Sequence, residues 1–96
     1  MGNYNKSIDR DFINKFWDAV GIAREQCKNP YAQSYLQAIN RIGMVLGSDL
    51  CFMRPEGIKG ALLYVLHNMQ GWRGQVARET KKVFREMIKR VDRKEL

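Results

Sequence analysis

Cysteine, proline and histidine are scarce in this sequence of 96 residues, which contains two, two and one of them respectively. Two cysteines, Cys27 and Cys51, are too few for the disulfide frameworks of small secreted domains. No apolar segment follows the first residues as a secretory signal requires, and the longest apolar run, residues 61–66, is too short for a bilayer span. We therefore expect a soluble cytoplasmic protein with free thiols and no membrane contact.

Constellations of catalytic or metal-binding residues are also missing. The only histidine, His67, has no cysteine, aspartate or glutamate near it in sequence that would complete a metal site or a catalytic triad. Asp11, Asp18 and Glu25 recur every seven residues. On a helix they are about 10 Å apart, which is too far for them to share one ion. The sequence predicts no enzymatic activity, no metal and no cofactor, and leaves the role of His67 open.

Acidic residues are few: ten stand against 17 lysines and arginines, for a net charge of +7. Such an excess favours polyanionic partners. Hydrophobic residues make up 45% of the chain, which is typical of a globular protein. Length and composition predict one domain over residues 1–96, with residues 1–6 as a flexible tail.

Four segments repeat their apolar residues with the period of an α-helix, and no long segment alternates with period two. The sequence predicts an all-α fold, a compact bundle of about four helices joined by short connections. The predicted helices cover residues 9–27, 30–46, 55–70 and 74–93. Asp9 and Asn29 are predicted N-caps, and Pro30 and Pro55 suit the first helical position.

The apolar stripes predict which residues form the core. In the first segment the stripe includes Phe12, Phe16 and Val20. In the second segment it comprises Tyr31, Tyr35, Ala38, Ile39, Ile42, Val45 and Leu46. The third segment is apolar over such a wide arc that it is predicted to be the central, most buried helix.

Lysine and arginine line one face of the fourth segment. Arg78, Lys82, Arg85, Lys89 and Arg93 are spaced by four, three, four and four residues. We call these five residues the basic ridge, which covers about 22 Å along the helix and has Lys81 beside it. Residues 73–96 carry nine basic and four acidic residues, a net +5 of the chain's +7. Concentrated charge of this kind is typical of phosphate binding.

The alternative interpretation of the basic ridge is a solvated helix face. Lysine and arginine favour helices, and cations suit a helix C-terminus. Glu86 would then pair with Lys82 and Arg90, four residues away on either side, and dilute the positive field.

The turn before the fourth segment is Gly71-Trp72-Arg73-Gly74. Arg73 and the backbone N–H groups at the helix start are candidates for holding a phosphate, and Trp72 is a candidate for stacking on a base or a partner side chain. The alternative is a tight helix–helix turn in which Trp72 closes the end of the core.

Four apolar loop residues, Leu50-Cys51-Phe52-Met53, either fold back over the bundle or stay exposed. If exposed, Leu50, Phe52 and Met53 form a docking patch. Against this background the sequence favours a non-enzymatic nucleic-acid-binding module that contacts the phosphate backbone through the basic ridge, Lys81 and Arg73. The alternative is a small protein-binding factor, an accessory or inhibitor of a larger host or mobile-element protein, which docks through these loop residues and Trp72.

Two further partners follow from charge. The basic ridge suits an acidic protein surface as well as nucleic acid. The acidic line of the first segment is complementary to the ridge of another copy, so a homodimer is possible. Such a dimer would dissociate as salt rises, because exposed ion pairs are screened within about 8–10 Å.

Overall fold

The computed structural model describes residues 8–46, residue 50 and residues 55–94, and within them it contains helices and no strands. The four helices are α1 (Arg10–Gln26), α2 (Pro30–Leu46), α3 (Pro55–His67) and α4 (Gln75–Asp92). The predicted all-α bundle is therefore confirmed. The predicted N-terminal tail lies outside the described residues.

Helix α3 ends at His67, three residues before the predicted end. The physical reason is local competition for the backbone carbonyl groups. The Asn68 amide donates to the Tyr64 carbonyl oxygen at 2.9 Å, and the Asn68 backbone N–H is shared between the carbonyls of Tyr64 and Val65 at 3.2 and 3.1 Å. Asparagine side chains commonly replace helical hydrogen bonds in this way.

The junction between α1 and α2 is fixed by two side chains. The Asn29 side-chain oxygen accepts hydrogen bonds from the backbone N–H groups of Tyr31 and Ala32, both at 2.9 Å, which confirms the predicted cap. The Gln33 amide reaches back from α2 to the end of α1. Its nitrogen lies 3.1 Å from the Ala23 carbonyl oxygen and donates also to the carbonyls of Arg24 and Cys27. The Ala23 carbonyl oxygen also accepts the Cys27 backbone N–H at 2.9 Å, and the Gln33 amide adds a donor for the last carbonyls of α1, where helical partners run out.

The four helices form a closed ring. Each helix packs against the next in the chain, and α4 returns to pack against α1. Helices α2 and α4 therefore lie at diagonal corners of the bundle. The prediction that α3 is central is wrong, because α3 occupies one corner and exposes Leu63 and Tyr64 to 47% and 45%.

The core is built on large apolar side chains from all four helices. Those with essentially no exposure include Phe12, Phe16, Leu36, Ile58, Met69, Phe84 and Met87. Trp17 lies edge-on to Phe16, with ring centroids 5.0 Å apart, and covers Gly43 of α2. The predicted stripe of α1 is confirmed.

The predicted stripe of α2 is mostly wrong. Ile39 is buried as predicted, but the structure leaves exposed Tyr31, Tyr35, Ala38 and Ile42. The side chains of Val45 and Leu46 lie outside the described part. The buried residues of α2 are Ala32, Leu36, Ile39 and Gly43. Small residues at two of these positions let α2 approach α1 closely, and the tyrosines keep their hydroxyl groups in water.

Candidate functional site

Helix α4 presents the basic ridge on the side opposite the core. Its buried residues are Ala77, Thr80, Phe84, Met87 and Val91. At 100° per residue the ridge is centred about 160–180° around the helix axis from this buried stripe. The five ridge side chains all belong to exposed residues. They therefore form a single line of positive charge on the outermost face of the bundle.

The ion pairs that α4 makes involve residues other than the ridge cations. Among the described residues, none of the five forms an ion pair. The predicted pairs of Glu86 with Lys82 and Arg90 do not form in that part of the chain, because Arg90 turns toward α1 instead. Glu79 accepts a hydrogen bond from Gln75 at 3.1 Å, and Asp92 pairs with Lys59 of α3 at 2.6 Å. Asp92 is thus the acid of α4 that is paired with another helix, while the exposed Glu79 and Glu86 lie beside the ridge without an ion pair among the described residues.

Arg90 is a structural cation and not a member of the ridge. Its guanidinium lies 3.1 Å from the Asp9 carboxylate and 3.3 Å from the Asp11 carboxylate, and 5.3 Å from the ring centroid of Phe12. Asp9 occupies the predicted N-cap position of α1, but its carboxylate makes no capping hydrogen bond. The prediction that this carboxylate caps the helix is wrong, because it pairs with Arg90 instead. Periodicity alone gave no signal of this contact between distant segments.

At the N-terminal end of α4, Gly74 fixes the backbone and Lys81 reaches back to the preceding turn. Gly74 precedes the helix with φ 110° and ψ 175°, a conformation that is essentially restricted to glycine. Trp72 is half-buried and packs against the core, as one of the two predictions for this turn required. The Lys81 ammonium donates to the Trp72 carbonyl oxygen at 2.6 Å, so Lys81 leans toward the turn. Arg73 is exposed.

A shallow groove of about 300 Å³ runs between α3 and α4 beside the ridge. Its lining residues are Leu63, Leu66, His67, Gln70, Lys81 and Arg85. His67 and Gln70 thus lie next to two of the predicted phosphate-binding cations, which the separation in sequence concealed. In the described part of the chain, no group of three or more histidine, cysteine, aspartate or glutamate residues could hold a metal ion. Cys27 is a buried free thiol.

Of the predicted apolar anchors, the structure describes Leu50 and Trp72. Leu50 is fully buried in the core, so its side chain is unavailable for docking. Phe52 and Met53, with Cys51, lie outside the described residues. Exposed apolar side chains are found instead on α2, where they were predicted to be core, and on the neighbouring α3. We call this set the tyrosine face: Tyr31, Tyr35, Ala38, Ile42 and Tyr64.

Comparison of the chain with protein-family models, with curated proteins and with solved structures gives no match. Within the described residues, no helix has both the length and the apolar character that crossing a membrane would require. The ridge, the groove and the tyrosine face are therefore the features of the molecule that bear on its function.

Proposed function

We propose that this protein binds nucleic acid through the phosphate backbone, with the basic ridge of α4 as the contact surface. The observation that supports this most directly is the set of five exposed cations, opposite the core, without an ion pair among the described residues. On a solvated helix face, cations would more commonly pair with acids one turn away. Here the line of charge is continuous over about 22 Å.

Binding of this kind reads charge and not sequence. The ridge contains no aromatic side chain to stack on bases, and phosphate contacts carry no direct sequence information. Each cation neutralises about one phosphate and releases its counterion. We therefore expect the logarithm of affinity to fall with the logarithm of salt concentration, with a slope of roughly −4 to −5 on duplex DNA. Arg73 and Lys81 lie at the foot of the helix and extend the basic surface.

The alternative, a protein-binding factor that docks through residues 50–53 and Trp72, has less support. Leu50 is buried and Trp72 is partly buried against the core. An acidic protein surface remains the second candidate partner for the ridge itself, since carboxylates and phosphates both attract an unpaired line of cations. A pull-down from lysate with and without nuclease distinguishes the two classes of partner.

The decisive experiment reverses two charges on the ridge and two elsewhere. The ridge variant is Arg85→Glu with Lys89→Glu. The matched control is Arg24→Glu with Arg41→Glu, two exposed arginines of α1 and α2 that form no ion pair in the described part. Both variants lower the net charge by four, so they differ only in where the charge is lost.

Fluorescence anisotropy with labelled duplex, single-stranded DNA and RNA at about 50 mM salt measures the outcome. We expect the ridge variant to lose at least about 100-fold in affinity and the control to lose far less. Single alanine variants of the ridge should each flatten the salt slope by about one unit. If both double variants lost affinity equally, binding would depend on net charge alone and not on the basic ridge. Absence of binding by the unmodified protein at micromolar concentration would refute the proposal.

A further inference from the structure

The tyrosine face is a continuous apolar surface that crosses from α2 to α3. Tyr31, Ile42 and Tyr64 are exposed to 66%, 43% and 45%. The rings of Tyr35 and Tyr64 touch across the two helices, with centroids 4.8 Å apart and planes inclined by 51°. Exposed apolar residues that form one patch, unlike scattered ones, mark an interaction surface.

The residues of the tyrosine face are not the ones through which α2 packs into the core of the bundle. Helix α2 already buries Ala32, Leu36, Ile39 and Gly43 against its neighbours. The α2 residues of the tyrosine face form a second stripe, about 100° around the helix from the first, with spacings of four, three and four residues. Spacings of three and four place side chains in the line through which one helix packs against another. Helix α2 is thus suited to pack on two sides, and among the described residues one of these sides stays exposed.

Charge decides what kind of partner fits. Helix α2 contains one charged residue, Arg41, in a chain of net charge +7. It lies diagonally across the bundle from α4 and its basic ridge. An acidic partner would be drawn to the ridge, whereas the tyrosine face offers only apolar surface and phenol hydroxyl groups. Two copies of this strongly basic protein repel each other least when they meet through α2, which carries little charge. Contact at α2 also keeps the two basic ridges apart.

We propose that the tyrosine face of one chain packs against the tyrosine face of a second copy, forming a two-fold symmetric dimer. A self-complementary patch is what such symmetry requires. With 150–250 Å² per aromatic side chain, the exposed fractions offer roughly 400–500 Å² per chain. A standard interface buries about 800 Å² per partner, so this dimer belongs to the small and weak interfaces. The proposal is independent of nucleic-acid binding.

The test uses two substitutions on the same helix. Ile42→Glu places a charge within the tyrosine face. Met44→Glu is the matched control, because Met44 is 80% exposed on a different side of α2. Gly60→Glu is a second disrupting variant that leaves the fold intact, since a Cβ at Gly60 meets nothing within 4 Å and Gly60 lies one turn from Tyr64. Circular dichroism verifies that each variant is folded.

Sedimentation equilibrium from about 10 to 500 µM, at about 0.15 and 0.5 M salt, measures the mass. We expect the unmodified chain and Met44→Glu to rise from 11.2 kDa toward twice that mass at both salt concentrations. Ile42→Glu and Gly60→Glu should remain monomers. A dimer that dissociates in high salt would support the acidic line and basic ridge as the interface and overturn this proposal. An unmodified chain that stays monomeric at the highest concentration would also overturn it and would leave the face to a different protein.

Discussion

At the scale of single residues, Gly43 is a position where the ring of Trp17 leaves no room for a side chain. A Cβ atom there would lie 2.5 Å from Cη2 and 2.8 Å from Cζ2 of Trp17, the ring that covers the α1–α2 contact. Gly43→Ala should therefore lower the free energy of unfolding by about 1–2 kcal/mol, since overpacking outweighs the better helix propensity of alanine. Thermal denaturation should show a melting temperature lower by roughly 5–15 °C.

Gly21 of α1 supplies the matched control, because a Cβ at Gly21 meets nothing within 4 Å. Gly21→Ala should stabilise the protein by about 1 kcal/mol through helix propensity alone. If both alanine variants were stabilised equally, the close packing of Trp17 on Gly43 would be wrong.

Residue-scale features were predictable from sequence where the chemistry is local. The Asn29-Pro30 start of α2 follows from capping rules, and the structure has the expected two hydrogen bonds. The carboxylate of Asp9 was equally suited to capping, but Arg90, distant in sequence, takes it. Gly43 gave no local signal, because the tryptophan that excludes a side chain there belongs to another helix.

At the scale of helices, the cations of α4 fall into two groups, one that packs against α1 and one that is exposed. Arg90 ties α4 to the start of α1 through two carboxylates and the ring of Phe12, with only 24% of its side chain exposed. Lys89, its neighbour in sequence, belongs to the exposed ridge. Arg90→Ala should reduce the free energy of unfolding by about 1–2 kcal/mol, more than one surface ion pair contributes, and should leave the salt slope of nucleic-acid binding unchanged.

Lys89→Ala should do the reverse: near-zero change in urea denaturation and a salt slope flatter by about one unit. The two measurements together separate a structural from a binding cation. An Arg90→Ala protein with unchanged stability and a flattened slope would place Arg90 on the binding surface.

The periodic pattern predicted α1 and α4 well and α2 poorly, for a physical reason. In α1 and α4 the apolar residues form one stripe opposite charged residues, so only one orientation buries them. Helix α2 is nearly uncharged and has two apolar stripes, and hydropathy does not say which one faces the core. The choice is made by Ala32 and Gly43, whose small size permits close approach to α1. The ridge was thus predictable, whereas the tyrosine face was not.

At the scale of the whole molecule, α2, which supplies four of the five residues of the tyrosine face, lies diagonally across the bundle from α4 and its basic ridge. We therefore expect a dimer that meets through its tyrosine faces to carry its two basic ridges on outer sides, away from the interface. One straight duplex then contacts only one ridge, so the salt slope per duplex should remain at roughly −4 to −5. The second ridge stays available, and we expect the protein to bridge two separate duplexes.

Bridging is measured by capture of a labelled duplex on an immobilised duplex of unrelated sequence, with protein above the dissociation constant of the dimer. The unmodified chain and Met44→Glu should capture the labelled duplex. Ile42→Glu should bind each duplex singly with an unchanged salt slope and capture little, because its tyrosine face no longer pairs. Capture by Ile42→Glu at the level of the unmodified chain would mean that the copies associate elsewhere or that one chain holds two duplexes. The two surfaces would then not be separate in function, although they are separate in space.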